Sequence, residues 1–260
     1  MSATPPTDTL VLKLVLTPVL IAAASLAGRR WGQSVGGWLV GLPLTSGPVA
    51  FFLALDQGAG FAAAVAVGSL AGAIAEAVFC LAYGWSAARG WVVALAAASV
   101  AFALVGLGLQ RLDWPPPALA IVVFATLGVA LWWLPKRASV AAVPPPPRWD
   151  LPARMLITTV LVVGLTALAP TLGPRLSGLL ATFPVYAAIL TVFAHRAGPA
   201  PAVQVLRGLL LGLFSFGAFF LVLGGSIERL GIAAGFGAAT AAALAVQMGS
   251  LVFVLRPRAA

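Results

Sequence analysis

One acidic side chain falls deep inside an apolar run of this 260-residue chain: Glu76, set among Ala, Gly, Val and Leu. At helical spacing Gly72 lies one turn before it, and Cys80 and Tyr83 share its face. An ionised carboxylate at mid-membrane costs about 2.5–3.5 kcal/mol or more, and an ionisable group kept there is a candidate for carrying protons. The structural alternative is a neutral carboxyl satisfied by a local hydrogen bond. Arg207 is the basic residue nearest to a membrane interior. It is placed to pair with Glu76 or bind an anionic solute, or to snorkel to the cytoplasmic face.

A second set of polar groups gathers where helices should fail. Residues 36–52 form an apolar span interrupted by Pro43, Gly47 and Pro48, with the hydroxyls of Thr45 and Ser46 at the interruption. Proline removes a backbone donor and clashes with the preceding turn, so a helix kinks or breaks there. Inside hydrocarbon the freed backbone groups must be satisfied by protein, solvent or ligand, so broken spans line cavities. Pro184 repeats the device with Thr182 and Tyr186 beside it, and a second broken span is expected there; without equivalents of Gly47 and Pro48, a simple bend is the alternative. Pro43, Thr45, Ser46, Gly47, Thr182, Pro184, Tyr186 and Gln247 are therefore the candidate solute contacts. Each polar member could instead make an interhelical hydrogen bond.

Enzyme chemistry finds no foothold in the sequence. There is no His-Glu-x-x-His, no Gly-x-Ser-x-Gly, no Gly-x-x-x-x-Gly-Lys and no pair of carboxylates in the apolar runs. With one cysteine, Cys80, and one histidine, His195, neither a disulfide framework nor a His/Cys metal centre is expected. No catalytic residue, cofactor or metal is assigned. His195 and Asp56 fall at span ends, as caps or gates.

These residues sit in a chain that is 62% hydrophobic and 8% charged, with mean hydropathy +1.08, against about 25% charged in a soluble domain. The composition specifies an all-α polytopic membrane protein. The net charge of +9 would suggest a nucleic-acid partner in a soluble chain. Here Lys and Arg fall almost wholly in the short connections, so the partner is the bilayer. A span needs about 20 apolar residues, and nine candidates run roughly 9–28, 35–55, 60–84, 91–110, 117–135, 154–173, 176–195, 202–225 and 231–255. Eight or ten are the alternative counts. Residues 142–148, with four consecutive prolines, belong to an extended cytoplasmic linker over 136–152. Eleven of the fifteen Lys and Arg fall on one side, giving an outside N-terminus and a cytoplasmic C-terminus in a bacterial inner membrane. Seven of the eight tryptophans stand near span ends, as interfacial anchors do.

The chain also repeats itself. At an offset of 141, Lys13, Gly32, Gly37 and Pro43 fall on Arg154, Gly173, Gly178 and Pro184. At 140, Gly58, Gly68, Gly72, Phe79 and Gly84 fall on Gly198, Gly208, Gly212, Phe219 and Gly224, while Glu76 falls on Phe216. The offset covers five spans, an odd number, so the two units would be inverted. The first is 1–135 with five spans, and the second is 153–260 with four and no counterpart of the fifth.

Inverted repeats with paired broken helices are the plan of many secondary transporters, whose solute site lies near the midplane. The arrangement resembles, in architecture only, the sodium/proton antiporter and bile-acid symporter group. There the broken helices are the fourth of each repeat, whereas here they are the second, and no site residue is carried over. The expectation is a permease for a small solute, coupled to protons through Glu76, with a homo-oligomer possible. The alternatives are a membrane-embedded enzyme or lipid-handling protein, or a channel or structural membrane subunit.

Overall fold

The computed structural model describes residues 38–44, 46–111, 116–136 and 149–255, together with positions 14, 15, 18, 19, 22, 26 and 30. At Tyr186 the description is of the backbone only. Thr45, most of the expected first span and most of the linker lie outside these residues.

Among the described residues the chain is helical, with no strand. After a helical turn at 38–40, the elements are α1 (Ser46–Gln57), α2 (Ala59–Ser86), α3 (Trp91–Leu109), α4 (Pro116–Trp133), α5 (Asp150–Leu172), α6 (Pro174–Ala181), α7 (Val185–His195) and α8 (Pro199–Leu255). A short 3-10 turn, Ala87–Arg89, follows α2. Among the described residues, three stretches are long and apolar enough to cross a membrane: Ala59–Arg89, Trp91–Leu109 and Pro199–Ser250. The last contains a break at Gly231 (φ 80°, ψ 174°), which divides α8 into two limbs.

Glycine sets where these helices stop. Gly58, Gly90, Gly173, Gly198 and Gly231 all take positive φ, a region that costs any other L-residue roughly 1–2 kcal/mol. Two pairs recur at the sequence offsets: Gly58 (φ 92°) answers to Gly198 (φ 117°) at 140, and Gly90 (φ 95°) to Gly231 (φ 80°) at 141. The counterpart of Gly173 is Gly32, outside the described residues.

α2 is the hub. It packs against α1, α3, α4, α6 and α8, and every residue from Gly68 to Ala77 is buried. A helix apolar and buried all round belongs to the interior of a bundle. α3 buries only the stripe Ala94, Ala98, Phe102 and Gly106. Its outer face shows Val92, Val100, Leu104 and Leu107. Trp132 and Ile121 on α4 are more than two-thirds exposed as well. Large apolar side chains turned outward from helices this apolar fit a membrane protein whose outer surface meets lipid.

Candidate functional site

Both expected interruptions are full breaks, and their backbones are alike. Around Pro43, the Leu42 N–H donates to Leu39 O (3.1 Å), Leu44 N–H to Leu42 O (2.7 Å) and Gly47 N–H to Pro43 O (2.8 Å). Around Pro184, the Phe183 N–H donates to Leu180 O (3.2 Å), Val185 N–H to Phe183 O (2.8 Å) and Ala188 N–H to Pro184 O (2.7 Å). Each bond in the second set lies 141 positions after its partner in the first. Pro184 has φ −80° and ψ 58°, the geometry of an inverse γ-turn. Of the break and the simple bend open at Pro184, the structure has the break: one proline at the centre of a γ-turn suffices, and no counterpart of Gly47 or Pro48 is needed.

Each break crosses a glycine more than 100 residues away in sequence. A Cβ at Gly41 would lie 2.5 Å from Gly212 Cα, and one at Gly72 would lie 2.8 Å from Thr182 Cβ and Cγ2. The contacts are exchanged copies of each other, since Gly72 answers to Gly212 and Gly41 to Thr182 at the repeat offset. A third exchanged pair lies one layer away. A Cβ at Gly106 would meet Leu179 Cδ1 at 2.8 Å, and at the equivalent pair the Gln247 Nε2 donates to Trp38 O (3.1 Å).

The Gly72 contact yields a test with an internal rescue. Gly72→Ala should lower the thermal midpoint in detergent by an overpacking cost of about 1–3 kcal/mol. Thr182→Gly in the same chain should recover much of that loss, because it removes the side chain that occupies the space. A double variant no more stable than the single one would mean that the crossing yields elsewhere.

The breaks face one cavity of about 30 Å³, lined among others by Gly41, Leu42, Ser46, Glu76, Thr182, Phe183, Pro184 and Phe216. That is room for about two waters. Glu76 is 6% exposed, and burial is what dominates its surroundings, with no hydrogen-bond or charged partner among the described residues. Ser46 and Ala187 also line the space. Their N–H groups open α1 and α7, where first-turn amides have no intrahelical acceptor. The lining thus combines residues of two helix first turns, a serine and one carboxylic acid around a space fit for a solute of a few atoms or for water. Among the described residues no group of three or more His, Cys, Asp or Glu could hold a metal ion.

No protein-family model, curated protein or solved structure matches the chain. Its chemistry is therefore read from its own geometry.

Of the candidate residues, the structure brings Ser46, Glu76, Thr182 and Pro184 together on the cavity. Pro43 sets the first γ-turn just beside it. Gly47 turns away, its Cβ direction leading to Pro43 and, at 3.8 Å, to Phe219. Gln247 does not reach the cavity. Its Nε2 is held by Trp38, and its buried Oε1 has no partner among the described residues. Arg207 is half-buried and not among the lining residues. Phe183 and Phe216 line the space without having been named as solute contacts. For Phe216 the signal was its place 140 positions after Glu76. The sequence also gave no sign that His195 would meet Tyr83, whose hydroxyl lies 3.0 Å from Nδ1 of the ring.

Proposed function

We propose that this protein is a secondary transporter of a small solute that works by alternating access, with its site at the cavity between the two helix breaks and with Glu76 as the proton-coupling group. The observation that carries the reading is that both breaks and Glu76, the one buried acidic residue among the described residues, share a single small cavity. Two inverted halves, 1–135 and 153–260, complete the proposal. The exchanged crossings of Gly72 on Thr182 and Gly212 on Gly41 support a two-fold relation between them. Five spans per repeat offset support the inversion, for an odd count reverses direction across the bilayer. On this reading nine spans cross a bacterial inner membrane, with the N-terminus outside and the C-terminus in the cytoplasm.

Accessibility tests the proposal without knowledge of the solute. Cys80, the native thiol, is fully buried, so Ser46→Cys and Ala187→Cys report on the cavity alone. In oriented membrane vesicles both introduced thiols should react with a small charged thiol reagent added from either face. A reagent on one face should also lower reaction from the other, since the two openings alternate. Reaction from neither face would remove the site, and equal, independent reaction from both would mean a channel.

A further inference from the structure

Two rows of side chains lead from the cavity to one end of the bundle. On α2 the row is Glu76, Cys80 and Tyr83, which share a face and cover about 10 Å along the axis. On α7 it is Ala187, Thr191 and His195, at intervals of four residues and covering about 12 Å. Glu76 and Ala187 both line the cavity. The rows meet again at their far ends, where Tyr83 Oη lies 3.0 Å from His195 Nδ1 and the two rings stand edge to face, 5.8 Å between centroids.

What lies between the meeting points is unusually polar for a core. Tyr83, Cys80 and Thr191 are each fully buried. Thr191 Oγ1 has no hydrogen-bond partner among the described residues, whereas Thr166 and Thr182 each donate to a carbonyl of their own chain segment. A buried hydroxyl without a protein partner is normally satisfied by water. His195 is only half-buried, so its ring can meet solvent on one side and Tyr83 on the other.

We propose that His195, Tyr83 and Thr191 form the proton route between Glu76 and the aqueous face at the C-terminal end of α7. The inference rests on the reading of Glu76 as a proton carrier. A proton taken from bulk water at His195 Nε2 is matched by release of the Nδ1 proton to Tyr83 Oη as the tyrosine's own proton moves on. Water held by Thr191 carries it to a Glu76 carboxylate oxygen. No bond other than O–H and N–H is made or broken, and the route relaxes by reorientation of the same groups. Arg196 follows His195 in the chain and Tyr83 lies against its ring, and α8, which packs on α7, carries Arg207, Glu228 and Arg229. α3, which also packs on α7, carries no ionisable side chain between Trp91 and Leu109.

The test follows Glu76 protonation itself, by the infrared carbonyl band that Glu76→Gln removes, after a pH jump on the intact protein in lipid. Tyr83→Phe and His195→Gln should each slow the rise of that band by roughly tenfold or more, as loss of a positioned acid–base group does. The final amplitude and the thermal midpoint should stay near wild type, which a purely structural role would not predict. Thr191→Val should slow the rise as well and removes no ionisable group. Wild-type rates in Tyr83→Phe and His195→Gln would overturn the route while leaving Glu76 a carrier. A Glu76 band that never titrates would overturn both.

Discussion

Glu76→Gln is expected to leave the protein folded and to stop solute-driven proton movement. The substitution keeps the shape of the side chain and removes its ability to take up and release a proton. Glu76 has no charged partner among the described residues, so no buried ion is stranded by the change, the event that makes such substitutions destabilising. The measurement is internal pH, followed with a trapped fluorescent dye in proteoliposomes, as small solutes are presented one by one. A solute that moves protons through the wild type should give the signal of empty liposomes with the variant. Its own uptake should lose the dependence on an imposed pH gradient. The same proton flux in both proteins would end the role proposed for Glu76.

The second large effect is on the fold. Gly212→Ala should destabilise the protein by an amount at or above the top of the usual overpacking range of about 1–3 kcal/mol. The added methyl would fall on the Trp38 carbonyl oxygen and come within 2.7 Å of Gly41 Cα. These are backbone atoms of a crossing segment, and unlike the Thr182 side chain they cannot rotate aside. Shifting Trp38 would also loosen the bond from Gln247 to its carbonyl and the 2.7 Å bond from its indole Nε1 to Ser250 Oγ. Gly128→Ala is the matched control, since nothing lies within 4 Å of the new carbon. There the substitution should be neutral or stabilise by up to about 1 kcal/mol through helix propensity. Equal losses of thermal midpoint at both positions would mean that the close crossing is not what Gly212 is for.

Much of the architecture could be read from punctuation. Gly58, Gly90, Gly173, Gly198 and Gly231 end helices because positive φ excludes other side chains at little cost only for glycine. The cluster at Pro43, Gly47 and Pro48 announced a break for the same kind of local reason. Other features depend on what the chain meets after folding. Pro184 alone could have meant a kink, and only the γ-turn bond from Val185 N–H to Phe183 O makes it a break. Gln247 looked like a solute contact because it is polar in an apolar span, yet it spends its amide on Trp38, more than 200 residues away in sequence. The Tyr83–His195 contact is likewise tertiary, and no spacing within either helix foretells it.

The matched bonds at the two γ-turns bear on energetics. If the halves trade roles during a cycle, every backbone bond surrendered at one turn has a twin formed at the other, and the two end conformations are close to degenerate. Such a balance needs only a modest bias to tip it, because a two-state population responds to the difference in affinity between states and not to affinity itself. That bias must come from groups present in one copy. On the proposed function, Glu76, whose counterpart at the sequence offset is Phe216, is where one proton would act as the lever.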